Sequence, residues 1–189
     1  MKFAFGIALT ILLFFLTSPI DAKDSNKKGF CGNRNGHGRQ IKSGFCSDTF
    51  LGEIPSINNM TSSLIITPKN EATLRPNKNF TVSIKIKNLK TGFFSDPEKQ
   101  YYAEPQALSG KIVRGHSHIT IQRLDSDETV PDAKNFAFFE GLNNAAKNGI
   151  LTVEVSGLDA GRYRICTMSS SFTHQPLVMP VAKRGSQDD

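Results

Sequence analysis

The sequence of 189 residues lacks tryptophan, holds only three cysteines, and has no long apolar run after its N-terminal segment. A transmembrane helix needs about 20 consecutive apolar residues, so no transmembrane anchor is expected. Antibody-type immunoglobulin domains carry a buried tryptophan beside a disulfide of fixed spacing, and neither feature is present. Three cysteines allow at most one intramolecular disulfide and leave one thiol over.

The N-terminal segment is typical of a secretory signal peptide. Lys2 precedes an apolar run over residues 3–16, Pro19 follows, and small residues permit cleavage after Ala22. We therefore predict a signal peptide over 1–22 and a secreted, extracellular, monomeric mature protein. Two sequons, at Asn59 and Asn79, agree with export in a eukaryote and predict surface glycosylation.

The mature chain begins with a basic segment that has little apolar surface. Residues 23–48 are rich in Gly, Asn, Lys, Arg and Ser, and their only large apolar side chains are Phe30, Ile41 and Phe45. Such a segment cannot offset the entropy of ordering it. We predict a flexible, disordered basic arm over 23–48 and a folded domain over 49–189.

The formal net charge is +6. Because the protein is expected outside the cell, we predict no nucleic-acid partner, and anionic cell-wall polymers or lipid headgroups fit the charge better.

The sequence alone cannot choose the disulfide partners among Cys31, Cys46 and Cys166. A Cys31–Cys46 bond would close a small loop in the arm, whereas Cys46–Cys166 would tie the arm to the core. We favour Cys31 with Cys46 because both lie in a segment too polar to fold alone.

Beyond Gly52, short apolar runs separated by turn residues favour strands over helices. The alternation is cleanest over 80–87, where apolar side chains fall on one face and polar ones on the other. Further runs predict strands over 64–66, 117–121, 151–155, 162–165 and 177–181. One helix is predicted over 131–146, because Phe136, Phe139, Leu142 and Ala146 recur at helical spacing before the stop at Asn148 and Gly149.

These elements predict a mostly β fold, an immunoglobulin-like or fibronectin-like antiparallel β-sandwich with one short helix. The segment 157–163 resembles the tyrosine corner of such sandwiches, in which a tyrosine hydroxyl bonds back to the preceding turn. That resemblance implies a structural role for Tyr163.

Three of the four histidines form the candidate metal site. His116 and His118 are two apart on a predicted strand and therefore share a face, opposite Ile119 and Ile121. We expect that face to be the wet face or a cleft, with His174 as a third ligand to Cu or Zn. The pair is similar to those of cupins and copper-zinc superoxide dismutases, although Gln122 and Arg123 stand where cupins place a glutamate. Two surface histidines that bind nothing are the alternative.

Other features offer weaker chemistry. The carboxylates over 125–128 have no partner for glycoside hydrolysis, and Cys166 would act as a nucleophile only within hydrogen-bond reach of His174. A cluster of four aromatic side chains could bind a sugar or a protein, or lie in the core under a long connection. It comprises Phe93, Phe94, Tyr101 and Tyr102. No catalytic residue is assigned, and a non-enzymatic protein is favoured.

Several segments resemble small secreted fungal proteins of unassigned activity, and the resemblance spans residues 45–189. It rests on residues 87–94, 101–103, 115–118, 136–143 and 174–176. It implies a secreted candidate effector of a plant-associated fungus and supplies no catalytic residue. We thus expect a non-enzymatic protein without a cofactor that binds cell-wall polysaccharide or a host protein. The alternative is a secreted Cu- or Zn-binding metalloprotein or metal-dependent enzyme that uses the three histidines.

Overall fold

The computed structural model describes Cys31 and residues 35–189 of the chain. The predicted signal peptide over 1–22 and the start of the predicted arm lie outside the described residues. Within the described part, the chain forms eight strands and one short α-helix. In chain order these are β1 (Ser62–Thr67), β2 (Phe80–Lys87), β3 (Leu89–Lys90), α1 (Pro97–Gln100), β4 (Leu108–Ser109), β5 (Ile112–Arg123), β6 (Phe138–Leu142), β7 (Ile150–Val155) and β8 (Tyr163–Ser171).

The first sheet has three antiparallel strands in the order β1, β2, β7. β2 is its centre and follows the predicted alternation: Val82 and Ile84 are fully buried, whereas Lys85 and Lys87 are exposed. The inward face of this sheet packs on residues of the second sheet, including Ile119 and Ile121, to form one hydrophobic core. The mostly β sandwich predicted from the sequence is confirmed.

The second sheet is built around β5, the longest strand. The first residues of β5 pair with β3 in parallel and with β4 antiparallel, while its remaining length pairs with β6 on one edge and β8 on the other. Both edges of β5 are therefore occupied, and residues from Gly115 to Ile119 are all buried. This central position places the two histidines of β5 inside the molecule.

The helix predicted over 131–146 is wrong. Residues Phe138–Leu142 form β6 instead and pair with Ser117 to Ile121 of β5. Phe138 and Leu142 then pack against the core, which a strand achieves with alternate residues. The tertiary pairing outweighs the local helical spacing. The short helix lies at α1, where the Asp96 side chain caps it by accepting a hydrogen bond from the Glu98 amide.

The edge strand predicted over 177–181 is also wrong, since among the described residues this segment forms no strand. The residue before it, Pro176, makes an isolated β-bridge to Ser170. The side chain of Gln106 takes the place of a neighbouring strand. Its Oε1 accepts a hydrogen bond from the Val178 amide at 2.8 Å and its Nε2 donates to the Val178 carbonyl at 3.1 Å. The Gln106 side chain thus satisfies both backbone hydrogen-bonding groups of Val178, which therefore need no partner on a neighbouring strand.

The favoured disulfide is confirmed: Cys31 and Cys46 are bonded, and Cys166 is free. The described part of the predicted flexible arm, 35–48, nevertheless contacts the domain. The Tyr101 amide donates to the Gly38 carbonyl at 2.8 Å, and the Phe45 ring lies 6.1 Å from the Tyr101 ring. The composition gave no sign of these contacts, because they depend on aromatic partners distant in sequence.

The tyrosine corner is confirmed, because the Tyr163 hydroxyl donates to the Asp159 carbonyl at 3.1 Å. Asn79 is exposed and Asn59 is partly exposed; whether either carries a glycan stays a prediction. Within the described residues, no helix is long and apolar enough to span a bilayer.

Candidate metal centre

The structure brings His116, His118 and His174 together. His116 and His118 project from the same face of β5, and His174 occupies the turn after β8 with a φ of 72°. One ring nitrogen of each histidine lies within 4.8 Å of one from each of the others. His116 Nε2 and His174 Nδ1 are 3.2 Å apart.

Of the two settings expected for this face of β5, a wet face or a cleft, the wet face is wrong. His116 is fully buried, His118 is only 6% exposed, and His174 is partly buried. The pair does face away from Ile119 and Ile121, but the aromatic segment 93–94 and β6 cover that side of the strand as well. The imidazoles thus lie in a second, polar interior and not on the surface.

Each histidine is held by a backbone carbonyl through its outer ring nitrogen. His116 Nδ1 lies 3.0 Å from the Phe93 carbonyl, and His118 Nδ1 lies 2.9 Å from the Met168 carbonyl. His174 Nε2 lies 3.0 Å from the Ser95 carbonyl. Because a carbonyl can only accept a hydrogen bond, each of these nitrogens carries the proton of its ring. In the neutral form, the other nitrogen of each ring is unprotonated and offers a lone pair.

Those tautomers leave His116 Nε2 and His174 Nδ1 facing each other as two acceptors at 3.2 Å. Two lone pairs at this distance repel unless a proton or a cation lies between them. Two imidazole nitrogens bound at about 2.0 Å to one tetrahedral zinc ion lie about 3.3 Å apart. The observed spacing fits a shared metal ion.

Burial disfavours a proton at this position. Burial, followed by the neighbouring His118 and His174 imidazoles, lowers the pKa of His116 to about 3. Burial also lowers the pKa of His118, although its hydrogen bond to Met168 and the charge of Asp188 oppose the shift. Burial therefore favours the neutral form of both rings, which is the form that binds metal.

Aromatic rings enclose the histidines. The Phe94 ring is edge-on to His116 at 5.2 Å and to His174 at 5.4 Å, both at 83°. The Phe139 ring stacks on His118 at 5.3 Å. These apolar walls limit the access of water to the ring nitrogens and lower the local dielectric.

The aromatic patch predicted from the sequence is divided, and two of its four rings, those of Phe94 and Tyr101, lie beside His174 at 5.4 and 5.9 Å. Phe94 belongs to the histidine site, whereas Phe93 packs against the Arg114 guanidinium at 5.8 Å. Tyr101 and Tyr102 stack on each other at 4.1 Å, and their hydroxyls are hydrogen-bonded at 3.1 Å. All four are at least partly accessible, and their role in binding a partner stays a prediction.

Phe139 and Ser95 belong to the site, although no pattern in the sequence places them there. The spacing of apolar residues predicts a helix at Phe139, whereas its position opposite Thr120 in the β5–β6 ladder follows only from strand pairing. Ser95 acts through its backbone carbonyl, for which a sequence carries no signal. Cys166 pairs with Thr120 from the other side, on β8, and is not among the three converging ligands.

Residues 63–189 match the family model described as the CLU5d N-terminal domain. The chain belongs to this family. The matched region begins within β1 and includes all three histidines of the site. The resemblance to a fungal family of unassigned activity is thereby confirmed at the level of the family.

A relative of this CLU5d-family chain is "Pathogenicity cluster 5 protein d" of Colletotrichum graminicola, 41% identical over 172 residues. The match covers 87% of this chain and 36% of the relative, so the chain spans about a third of that protein's length. No solved structure matches the chain.

Proposed function

We propose that this protein binds one transition-metal ion, copper or zinc, through His116, His118 and His174. The observation that carries the proposal is the convergence of three ring nitrogens whose partner nitrogens are all fixed on backbone carbonyls. Imidazole suits copper and zinc among the common biological metals. Three protein nitrogens leave a further coordination position for water or another small ligand.

The outer hydrogen bonds support this function because they resemble those around established metal ligands. A histidine that binds a metal almost always donates its other N–H to a carbonyl, a carboxylate or water, and this contact fixes both the tautomer and the ring orientation. Here the segment 93–95 supplies two of the three carbonyls and, through Phe94, one apolar wall. The site is therefore preorganised by backbone that is already ordered.

Protein prepared without an affinity tag and reconstituted with Cu(II) or Zn(II) should retain about one equivalent of metal after desalting. The His118→Ala variant should lose at least about 100-fold in metal affinity, because a two-nitrogen site cannot replace the missing ligand. Metal content by mass spectrometry and affinity by chelator competition test this expectation.

His37→Ala is the matched control, since His37 is exposed and lies outside the site. It should keep the metal. Circular dichroism should show that His118→Ala remains folded. Wild-type protein that holds no metal after reconstitution, or a folded His118→Ala variant that holds it as tightly as the wild type, would refute the proposal.

The setting in which the site works is proposed to be outside a fungal cell, at a cell wall or host interface. The secretory leader, the Cys31–Cys46 disulfide and the pathogenicity-related name of the relative support this. The basic residues of the arm would supply electrostatic attachment to anionic polymers. This role requires no catalysis, and it is compatible with a bound metal.

If the arm supplies attachment, replacing exposed Arg39 and Lys42 by Gln should weaken binding to anionic wall polysaccharide by about tenfold at low salt. Lys85→Gln with Lys87→Gln, on the exposed face of β2, is the control with the same change in net charge. Co-sedimentation with purified wall material measures the effect. Equal binding by both double variants would contradict the role of the arm.

A further inference from the structure

The three ligands carry no negative charge, and within the described part of the chain no carboxylate or thiolate joins their set. The carboxylate that influences His118 belongs to Asp188. It accepts hydrogen bonds from the Thr167 hydroxyl at 3.2 Å and from the Ser169 amide at 2.8 Å. Both bonds go to Oδ1, so they hold Asp188 in place outside the ligand set while its negative charge still acts on His118. One nearby carboxylate can offset a single positive charge, so a dication bound by the three neutral ligands would keep a net positive charge in a buried site.

Burial of an uncompensated charge is costly, and the cost rises steeply with the charge of the ion. His116 and His118 are almost completely buried, and the rings of Phe94 and Phe139 replace water on two sides. The site consequently penalises Cu(II) and Zn(II) more strongly than it penalises a singly charged ion of similar size. Among metals that bind imidazole, Cu(I) is such an ion.

Soft donors lie beside the site as well. Met168 pairs with His118 across the β5–β8 ladder, so its thioether is on the same face as the imidazole, and Cys166 is two residues along the same face. Met168 is 42% exposed. Thioether and thiol sulfur favour Cu(I) over harder ions. These side chains place sulfur, which suits the reduced metal, on the face of the sheet that carries His116 and His118.

We propose that this centre is a copper site that favours the cuprous state, and that it binds Cu(I) at least tenfold more tightly than Cu(II) or Zn(II). The inference rests on the proposed metal-binding function. Three neutral imidazoles complete the three-coordinate shell that Cu(I) accepts, whereas zinc sites normally have four ligands. The apolar walls stabilise the lower charge, and by linkage they raise the reduction potential of the bound copper.

The test measures two dissociation constants for the full mature chain: that of Cu(I) under anaerobic conditions with a chromophoric Cu(I) chelator, and that of Cu(II) in air with a Cu(II) chelator. Zn(II) is measured in parallel. We expect the Cu(I) constant to be the lowest by at least tenfold. If Cu(II) or Zn(II) binds as tightly as Cu(I), the cuprous preference is wrong and the proposed function stands. If none of the three binds, both are wrong.

A charge placed against His118 provides the second arm. Phe139 is 43% exposed, so Phe139→Asp should fold, and its carboxylate should reduce the preference for Cu(I) at least tenfold by stabilising the dications. Phe139→Asn introduces a side chain of nearly the same shape as aspartate but without its charge, and this variant should keep most of the preference for Cu(I). Val130→Asp adds the same charge in the exposed loop between β5 and β6 and should leave it unchanged.

An unchanged ratio of the Cu(I) and Cu(II) constants in Phe139→Asp would overturn the electrostatic argument. Should Phe139→Asp fail to fold, Met168→Glu puts a carboxylate on the same face of β8 and carries the same expectation.

Discussion

Copper or zinc added to chelator-treated protein should raise the free energy of unfolding by about 3 to 4 kcal/mol when the free metal is about 100 to 1,000 times its dissociation constant. The gain arises because the folded chain presents three converging nitrogens, whereas the unfolded chain does not hold them together. Urea denaturation with and without metal measures it as a shift in the transition midpoint.

The same titration separates a specific site from loose association. In His118→Ala the gain should fall to about 0.4 to 1.4 kcal/mol or less, because a 100-fold weaker site gives less stabilisation at equal metal concentration. His37→Ala should behave like the wild type, since His37 is exposed and is not among the three converging histidines. An equal midpoint shift in His118→Ala and the wild type would show that the metal stabilises the fold from some other position.

Replacement of Gly115 by alanine should cost about 3 kcal/mol or more of stability and should also weaken the metal site. A Cβ at this position would lie 1.9 Å from the Ser170 carbonyl oxygen, so β5 and β8 would have to move apart. Gly115 directly precedes His116, and its carbonyl accepts a hydrogen bond from the Phe93 amide at 3.2 Å. The displacement would thus reach both a ligand and the segment that orients it.

Gly185→Ala is the control, because a Cβ there meets no atom within 4 Å. Its free energy of unfolding should stay within about 0.5 kcal/mol of the wild type. Chemical denaturation and chelator competition are measured on both variants. If Gly115→Ala matches the wild type in both measurements, the close β5–β8 approach is not required for the site.

The alternation of apolar and polar residues was sufficient to predict β2, and nearly sufficient for β1, β7 and β8. These strands each bury one face, and a period of two along the chain reports that directly. The tyrosine corner could also be predicted from nearby residues, because Tyr163 and its partner Asp159 are four residues apart in the sequence. β6 could not be predicted in this way. Its phenylalanines satisfy a helical spacing equally well, and only pairing with β5 decides between the two.

For the candidate site, the sequence placed His116 and His118 on one face of a strand, since residues two apart in a strand point the same way. It also named His174, but no pattern could show that the turn after β8 returns to β5. The burial of the pair was missed for a related reason. The residues that cover it, Phe94 and Phe139, come from segments about 20 residues away on either side.

The sequence by itself determined the strand periodicity, the shared face of two histidines and a basic segment in which two cysteines were the favoured disulfide pair. Each of these depends on residues near one another along the chain. The tertiary structure alone decided that three imidazoles converge, that three carbonyls fix their outer nitrogens and that aromatic rings replace water around them. Those contacts join segments up to 79 residues apart, and their geometry is set by packing, which local pattern does not encode.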